Sequence, residues 1–313
     1  MEAYSCLGLD IGGTKCAAVV GGSDGRVIDR VEWPSRAERG PEAMMADLVR
    51  QGQSLLARCG GVQGVGVSIG GPLDAERGVV HGPPNLPGWD AVPLAARLRE
   101  AFGLPVRVEH DGSACALAEY RWGAGRGAER LAYLTSGTGF GVGLIFDGLI
   151  YRGAGGRPSD FGHVRYRPSG PIAYGAAGSP TAKAGCFEAY CAASALGALA
   201  AWRYPDRWPA APAPSDVAAL AAAGDEAACS IVNMTSEATG AACALLADLL
   251  HLDVILLGSL ARYLGQAWVE RVRAAFLAEA HPLARENCRI DAAGLGNRLQ
   301  DCSALAVACI ALE

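Results

Sequence analysis

The chain has 313 residues, of which 51% are hydrophobic and 19% charged, and its formal net charge is −5 at pH 7. This length exceeds what one hydrophobic core usually serves, so two lobes are predicted. The acidic balance disfavours bulk nucleic-acid binding, and no apolar run is long enough to predict a membrane span. The N-terminus lacks the pattern of a signal peptide, so we expect a cytoplasmic protein.

Cysteine usage points to the same compartment. The eleven cysteines follow no tight spacing, and a disulfide scaffold would be unusual in a chain of this size. We therefore expect free thiols, several of them packed as small apolar side chains.

The first third of the chain predicts an α/β fold. Three short strand-like segments separated by glycine turns predict an antiparallel meander, at residues 5–9, 16–20 and 27–33. Helical and strand-like segments then alternate, which is typical of a sheet with a parallel portion. The predicted helices are 42–58, 93–102 and 112–122, and the predicted strands are 62–69 and 106–110.

The same layout then begins again, so two similarly built halves are expected. Strands are predicted at 130–135, 141–146 and 149–151, followed by a glycine- and proline-rich loop region at 153–185. Residues 192–250 are mainly helical, with an interruption at 204–214. The predicted remainder is a strand at 254–257 and helices at 262–280 and 302–311.

A glycine hairpin, residues 10–15 (DIGGTK), joins the first two predicted strands. Gly12 and Gly13 would let backbone N–H groups approach phosphate oxygens, and Thr14 would add a hydroxyl. Asp10, at the strand end, could help to order a magnesium ion. An ordinary tight hairpin is the alternative reading. A Walker loop is excluded, because the final residues are Thr-Lys in that order and a strand follows.

A second glycine-rich hairpin occupies residues 135–143 (TSGTGFGVG) in the second half. Its spacing does not fit a dinucleotide-binding fingerprint, and again a strand follows it. A plain hairpin is again the alternative. Two such hairpins, one in each half, are typical of the actin–hexokinase type of ATPase fold.

Eight short segments occur in an order that resembles the ROK family (repressors, open reading frames and sugar kinases) over essentially the whole chain. They are 9–15, 68–72, 84–89, 109–111, 137–139, 161–163, 185–190 and 256–259. The resemblance implies a two-lobed actin-like ATPase (ribonuclease H-like) α/β fold. Each lobe would contain a mixed sheet with flanking helices, and the active site would lie in the cleft. The expected lobes are 1–118 with 300–313, and 119–299.

The resemblance also implies an ATP- and Mg²⁺-dependent kinase that forms a homodimer. It places Asp111 as the catalytic base, a role that suits a carboxylate at a strand end. From the residues alone, a helix N-cap is the alternative role for Asp111. The implied nucleotide-binding residues are Asp10, Gly12, Gly13, Thr14, Lys15, Gly137, Thr138, Gly139, Gly258 and Ser259. The implied substrate-binding residues are Gly71, Asn85, His110, Asp111, Asp160, His163 and Glu188.

Two of these substrate positions depart from the family pattern. His110 replaces an asparagine and Asp160 replaces a glutamate. A changed pocket leaves the acceptor open between a hexose, phosphorylated on a hydroxymethyl group, and a C7-cyclitol or amino sugar. A non-catalytic sugar sensor is a further alternative. A repressor is disfavoured, because the first phosphate loop begins within ten residues of Met1 and no basic helix is predicted.

Family members usually hold a structural zinc with one histidine and three cysteines. Here only His163 and Cys186 match, and two ligands do not close a tetrahedral site. We expect no zinc, and residues 170–185 would then be ordered by packing or by substrate, as a mobile lid.

Overall fold

The structure is a computed structural model that describes residues 4–174 and 183–312. Its chain divides into two compact units. The first comprises Met1–Gly127, Gly143–Ser159 and Gly294–Glu313, and the second comprises Ala128–Val142 and Asp160–Ala293. The lobe bounds expected from the sequence stay a prediction.

The elements follow the α/β pattern expected from the sequence. The strands are β1 Ser5–Ile11, β2 Lys15–Gly22, β3 Val27–Pro34, β4 Val62–Ile69, β5 Leu73–Asp74, β6 Val79–Val80, β7 Val106–His110, β8 Arg130–Ser136, β9 Phe140–Phe146, β10 Leu149–Ile150, β11 Ile172–Tyr174, β12 Lys183–Ala184, β13 Val254–Leu257 and β14 Arg289–Ala292. The α-helices are α1 Gly40–Cys59, α2 Leu94–Phe102, α3 Asp111–Trp122, α4 Glu188–Cys191, α5 Ala195–Arg203, α6 Pro214–Ala222, α7 Glu226–Leu250, α8 Ser259–Leu264, α9 Gln266–Glu279, α10 Pro282–Asn287 and α11 Leu299–Ile310.

Two five-stranded sheets organise the protein, in the orders β3-β2-β1-β4-β7 and β10-β9-β8-β13-β14. In the first, β1–β3 form the predicted antiparallel meander, and β4 and β7 extend it in parallel. In the second, β13 is parallel to both β8 and β14. The repeated mixed α/β pattern predicted from the sequence is confirmed.

The last helix, α11, packs closely on the first sheet because the strands beneath it carry glycine. A Cβ on Gly66 would overlap the backbone of Ala308, and one on Gly8 would lie 2.9 Å from the Cβ of Ala304. The residues of α11 that face these strands include Ala304, Leu305 and Ala308, and all three are fully buried. The C-terminal residues therefore belong to the same unit as the N-terminal strands.

In the second unit, α7 packs along α9. The two helices share a buried polar contact, in which Trp268 Nε1 donates to Thr235 Oγ1 at 3.0 Å. Within residues 4–174 and 183–312, no single helix is long and apolar enough to cross a membrane. The pair α6 and α7 meets that criterion together but is bent by 110°.

The structure differs from the sequence prediction in local detail. The single helix predicted over 262–280 is wrong, because Gly265, with φ of 77°, separates α8 from α9. The loop region 153–185 contains the short antiparallel pair of β11 and β12. These strands were not predicted, because the high glycine and proline content of the region is typical of loops. Residues 175–182 of that region, and with them half of the expected lid at 170–185, lie outside the described residues.

Candidate active site

The parallel strands β1, β4 and β7 end at one edge of the first sheet. Their register places Asp10, Ser68 and Glu109 side by side in one row. Immediately beyond that row the chain enters two glycine turns and the first residue of α3, Asp111. The strand pairing thus brings two predicted site carboxylates, Asp10 and Asp111, to the same edge.

The first glycine hairpin is held by hydrogen bonds to its own backbone and to Ser35, and it packs against Asn85. Gly12 donates its N–H to the carbonyl of Lys15 at 3.1 Å, and Ser35 Oγ donates to the carbonyl of Gly12 at 2.5 Å. A Cβ on Gly13 would lie 2.7 Å from the Cβ of Asn85. The predicted nucleotide hairpin and the predicted substrate residue Asn85 are therefore in contact.

Two further residues of this hairpin are exposed. Thr14 is exposed, and its role as a phosphate ligand stays a prediction. Lys15 lies 3.0 Å from Glu32 Oε2 and its side chain is about half exposed. Lys15 therefore forms an ion pair with Glu32 of β3. The role of Lys15 in nucleotide binding stays a prediction.

Asp111 begins α3, but His110 is the residue that caps the helix. His110 has extended backbone angles, and its Nδ1 accepts the N–H of Gly112 at 3.3 Å. Asp111 Oδ1 accepts the same N–H at 2.6 Å, and Asp111 Oδ2 has no hydrogen-bond partner among the described residues. The Asp111 side chain is 52% exposed. One carboxylate oxygen of Asp111 is therefore available to a substrate.

The His110 ring lies against the glycine turn after β4. A Cβ on Gly71 would be 2.9 Å from His110 Cδ2, and one on Gly70 would be 4.0 Å from Asp111 Oδ2. Any side chain at Gly71 would therefore displace the imidazole. Gly71, His110 and Asp111 are therefore neighbours, and their role in binding substrate stays a prediction.

Asp10 lies in an environment that opposes its ionisation. Its pKa is raised to about 7, mainly by burial, with a further contribution from the negative charge of Asp111. A hydrogen bond with Ser68 acts in the opposite direction. The charge of Asp111 and the burial of Asp10 therefore both favour the protonated form of the Asp10 carboxyl.

This pKa predicts how stability depends on pH in protein free of nucleotide and magnesium. The folded protein retains the Asp10 proton up to pH about 7, whereas the unfolded chain loses it near 3.8. The contribution of the protonated Asp10 carboxyl to the free energy of unfolding is therefore complete below about pH 4 and is lost as pH rises through about 7. We expect Asp10→Asn to gain about 2.5 kcal/mol relative to wild type between pH 5 and pH 8, since wild type loses about two pKa units of stabilisation there and one unit is about 1.4 kcal/mol. Urea unfolding of both proteins across that range tests this, and parallel curves would contradict it.

A buried ion pair supports the strand end that carries His110 and Asp111. Glu109 is 2% exposed, and its Oε2 accepts from Arg152 Nε at 3.0 Å and Nη2 at 2.5 Å. Its Oε1 accepts the backbone N–H of His110 at 3.1 Å. The sequence predicted no role for either Glu109 or Arg152. The available signal was the position of Glu109 directly after Val108 on a predicted buried strand, because a buried carboxylate needs a cation.

The second glycine loop, between β8 and β9, is also held by side chains of its own unit. Gly137 donates its N–H to the carbonyl of Gly139 at 3.0 Å, which closes the turn. Ser194 Oγ donates to the carbonyl of Thr138 at 2.6 Å. Ser194 did not stand out in the sequence, because a lone serine in an alanine-rich stretch carries no pattern.

Glu188, predicted to bind substrate, contacts this second glycine loop. Its Oε2 accepts the backbone N–H of Phe140 at 2.8 Å, and a Cβ on Gly139 would lie 2.8 Å from the same oxygen. The side chain is therefore fixed at the base of the loop. A carboxylate in this place can orient a substrate hydroxyl and the loop backbone together.

Gly258 and Ser259, which the resemblance implies as nucleotide-binding residues, lie beside the same loop. Ser259 Oγ donates to the carbonyl of Ser136 at 2.8 Å, and the Gly258 N–H donates to the carbonyl of Leu134 at 2.9 Å. A Cβ on Gly258 would lie 2.7 Å from the hydroxyl of Tyr133. The second unit therefore brings together the predicted residues 137–139, Gly258, Ser259 and Glu188.

The remaining predicted residues lie on a short 3-10 turn, Phe161–His163. Asp160 is exposed and its carbonyl accepts the N–H of His163 at 2.9 Å. Within 4–174 and 183–312, no group of three or more histidine, cysteine, aspartate or glutamate side chains is arranged to hold a metal ion. His163 and Cys186 do not form such a group, and the donor set does not fit a zinc ion.

Comparison with known proteins identifies several sugar kinases similar to this chain. A glucokinase of Thermotoga maritima is 33% identical over 199 residues, and the match covers 63% of this chain and 60% of that protein. An N-acetylmannosamine kinase of Escherichia coli is 32% identical over 194 residues, covering 62% of this chain and 63% of the relative. The chain thus spans about three fifths of the length of these relatives.

Two solved structures share the fold over nearly the whole chain. The ROK hexokinase of Thermus thermophilus has a TM-score of 0.85 at 30% identity and covers 99% of each chain. A ROK glucokinase of Streptomyces griseus, in complex with glucose and AMPPNP, has a TM-score of 0.79 at 27% identity, covering 98% of this chain and 99% of that one. The predicted actin-like ATPase fold class is confirmed. Because the ROK family description matches residues 6–308, this chain belongs to the ROK family.

Proposed function

We propose that this protein is an ATP-dependent kinase that phosphorylates a hydroxyl of a hexose or a sugar-like polyol, with Asp111 as the general base. The observation that carries the proposal is the Asp111 carboxylate. Its Oδ2 points away from the helix hydrogen bonds, beside a turn that has no side chains at Gly70 and Gly71. A hydroxyl placed there could give its proton to Oδ2 as the oxygen attacks a phosphoryl group.

The chain also has residues that would bind a nucleotide and its Mg²⁺ ion. The two glycine hairpins carry backbone N–H groups of the kind that can bind phosphate oxygens. Asp10 and Asp111 are two neighbouring carboxylates of the kind that suits Mg²⁺ with its waters. A bound Mg²⁺ would neutralise phosphate charge. The similarity to a glucokinase that binds glucose and AMPPNP supports both substrates.

A second acceptor class, amino sugars or C7-cyclitols, is favoured by the two altered positions. His110 presents an imidazole against Gly71 where the family has an amide, and Asp160 has a shorter side chain than the family glutamate. Hydroxyl recognition depends on hydrogen-bond distances of about 3 Å, so these changes alter which polyol fits. The similarity to an N-acetylmannosamine kinase agrees with this class.

A coupled assay of ADP release tests the function and the acceptor together. The panel contains hexoses, N-acetyl and amino hexoses, and C7-cyclitols, each with ATP and Mg²⁺. We expect turnover with at least one class and strong loss in Asp111→Asn. Preference for glucose would support the first acceptor class, and preference for an amino sugar or cyclitol the second. Absence of turnover with every polyol would reject the kinase proposal.

A further inference from the structure

Four aromatic side chains from two separate segments pack into a continuous stack in the second unit. Phe187 lies between Phe161 and Tyr166, with ring centroids 5.1 Å and 5.2 Å apart and interplanar angles of 13° and 24°. Tyr190 then meets Tyr166 edge-on at 5.3 Å. The rings alternate between residues 161–166 and residues 187–190. The side chains of the two segments therefore interdigitate and hold the segments together.

Backbone and polar contacts reinforce this aromatic stack. The N–H groups of Tyr166 and Arg167 both donate to the carbonyl of Gly185, at 2.8 Å and 2.9 Å. The hydroxyl of Tyr190 donates to the carbonyl of Ser169 at 3.0 Å. The guanidinium of Arg167 lies 4.7 Å from the centre of the Tyr166 ring, and this cation–π interaction stabilises the position of the ring.

The stack lies beside the predicted site residues of this unit. His163 is enclosed in sequence between Phe161 and Tyr166, and Glu188 follows Phe187 directly. Phe140, whose N–H holds the Glu188 carboxylate, also contacts the Phe161 ring at 6.3 Å. The positions of His163, Glu188 and the second glycine loop therefore depend on the same set of rings.

The family resemblance implies a zinc ion for bracing these same two segments, and this chain lacks the ligands for it. His163 and Cys186 are the two remaining ligand types, and Cys186 is fully buried. The sequence of residues 175–182 contains no histidine, cysteine, aspartate or glutamate. Two ligands cannot form the tetrahedral closed site of a structural zinc.

We propose that the aromatic stack replaces the metal as the brace of the substrate-binding segments. Phe187 and Tyr166 are then positioning residues for Glu188 and His163. This inference rests on the proposed sugar kinase function for its kinetic consequence. Its structural part, a brace made of rings without a metal, does not depend on that function.

The kinetic test compares Phe187→Leu and Tyr166→Leu with two matched variants. Tyr166→Phe keeps the ring, and Tyr204→Leu removes a ring from an edge-on pair with Trp208 elsewhere in the unit. We expect the KM for the sugar to rise about 10-fold or more in the two stack variants, because small displacements of binding groups have effects of this size. The two matched variants should keep the wild-type KM. An unchanged KM in both stack variants would overturn the positioning role.

A second measurement needs no catalytic activity. Trypsin can cut after Arg165 and Lys183, which lie within or next to the braced segments. We expect Phe187→Leu to be cut there at least about 10-fold faster than wild type, and Tyr204→Leu to be cut at the wild-type rate, since local opening governs cleavage. Equal rates in all three proteins would contradict the brace.

Metal analysis completes the test. We expect less than stoichiometric zinc in the purified protein and no change of Tm on adding a zinc-selective chelator. One zinc per chain, with a Tm that falls on chelation, would overturn the proposal. If no sugar is phosphorylated, the kinase function fails, while the proteolysis and metal results still decide whether the rings form the brace.

Discussion

Replacing Asp111 by asparagine is expected to lower kcat for sugar phosphorylation by about 100-fold to 10,000-fold, the usual range for loss of a general base. Asparagine keeps the shape of the side chain and its acceptor oxygen toward Gly112, but it cannot take a proton. Because the side chain is about half exposed and His110 caps α3, the fold should be retained. We therefore expect a loss in kcat with a small change in KM.

A matched control is Asp90→Asn, which changes an exposed aspartate of the same unit outside the predicted site. Steady-state kinetics and thermal unfolding should be measured for wild type and both variants. Asp90→Asn should behave as wild type in both. If Asp111→Asn kept more than about a tenth of the wild-type kcat, proton transfer to Asp111 would be excluded as a major contribution.

Replacing Arg152 by methionine is expected to destabilise the protein by about 3 kcal/mol, because it leaves the buried Glu109 carboxylate without its cation. Glu109 accepts both Arg152 donors on one oxygen and the His110 N–H on the other. Movement of this carboxylate would shift the backbone that carries His110 and Asp111. We therefore also expect kcat to fall by about 10-fold or more.

The exposed arginine at position 157 provides the control, since Arg157→Met removes the same charge from the same segment. Urea unfolding should show a change of less than about 0.5 kcal/mol for this variant. Combining Arg152→Met with Glu109→Gln should recover part of the lost stability, because the uncharged amide needs no cation. A double variant that is as unstable as the sum of the single ones would contradict a direct interaction between the two side chains.

The sequence predicted best where a local pattern determines a local structure. The strand and glycine-turn alternation of residues 5–33 predicted the meander, because short β-branched segments and turn glycines determine structure over a few residues. Asp111 was placed correctly at the start of α3. The helix break at Gly265 was missed, because an isolated glycine is tolerated in many helices and only its left-handed conformation ends this one.

By itself, the sequence determined the α/β class, the two glycine hairpins, the family and the departures at His110, Asp160 and the zinc positions. Only the tertiary structure decided which distant residues share a contact. Strand register put Asp10 beside Ser68, and folding brought Arg152 to Glu109, Glu188 to the second glycine loop, and Phe161 and Tyr166 to Phe187. Such partners are separated by tens of residues, and their pairing depends on burial and geometry that no local pattern in the chain records.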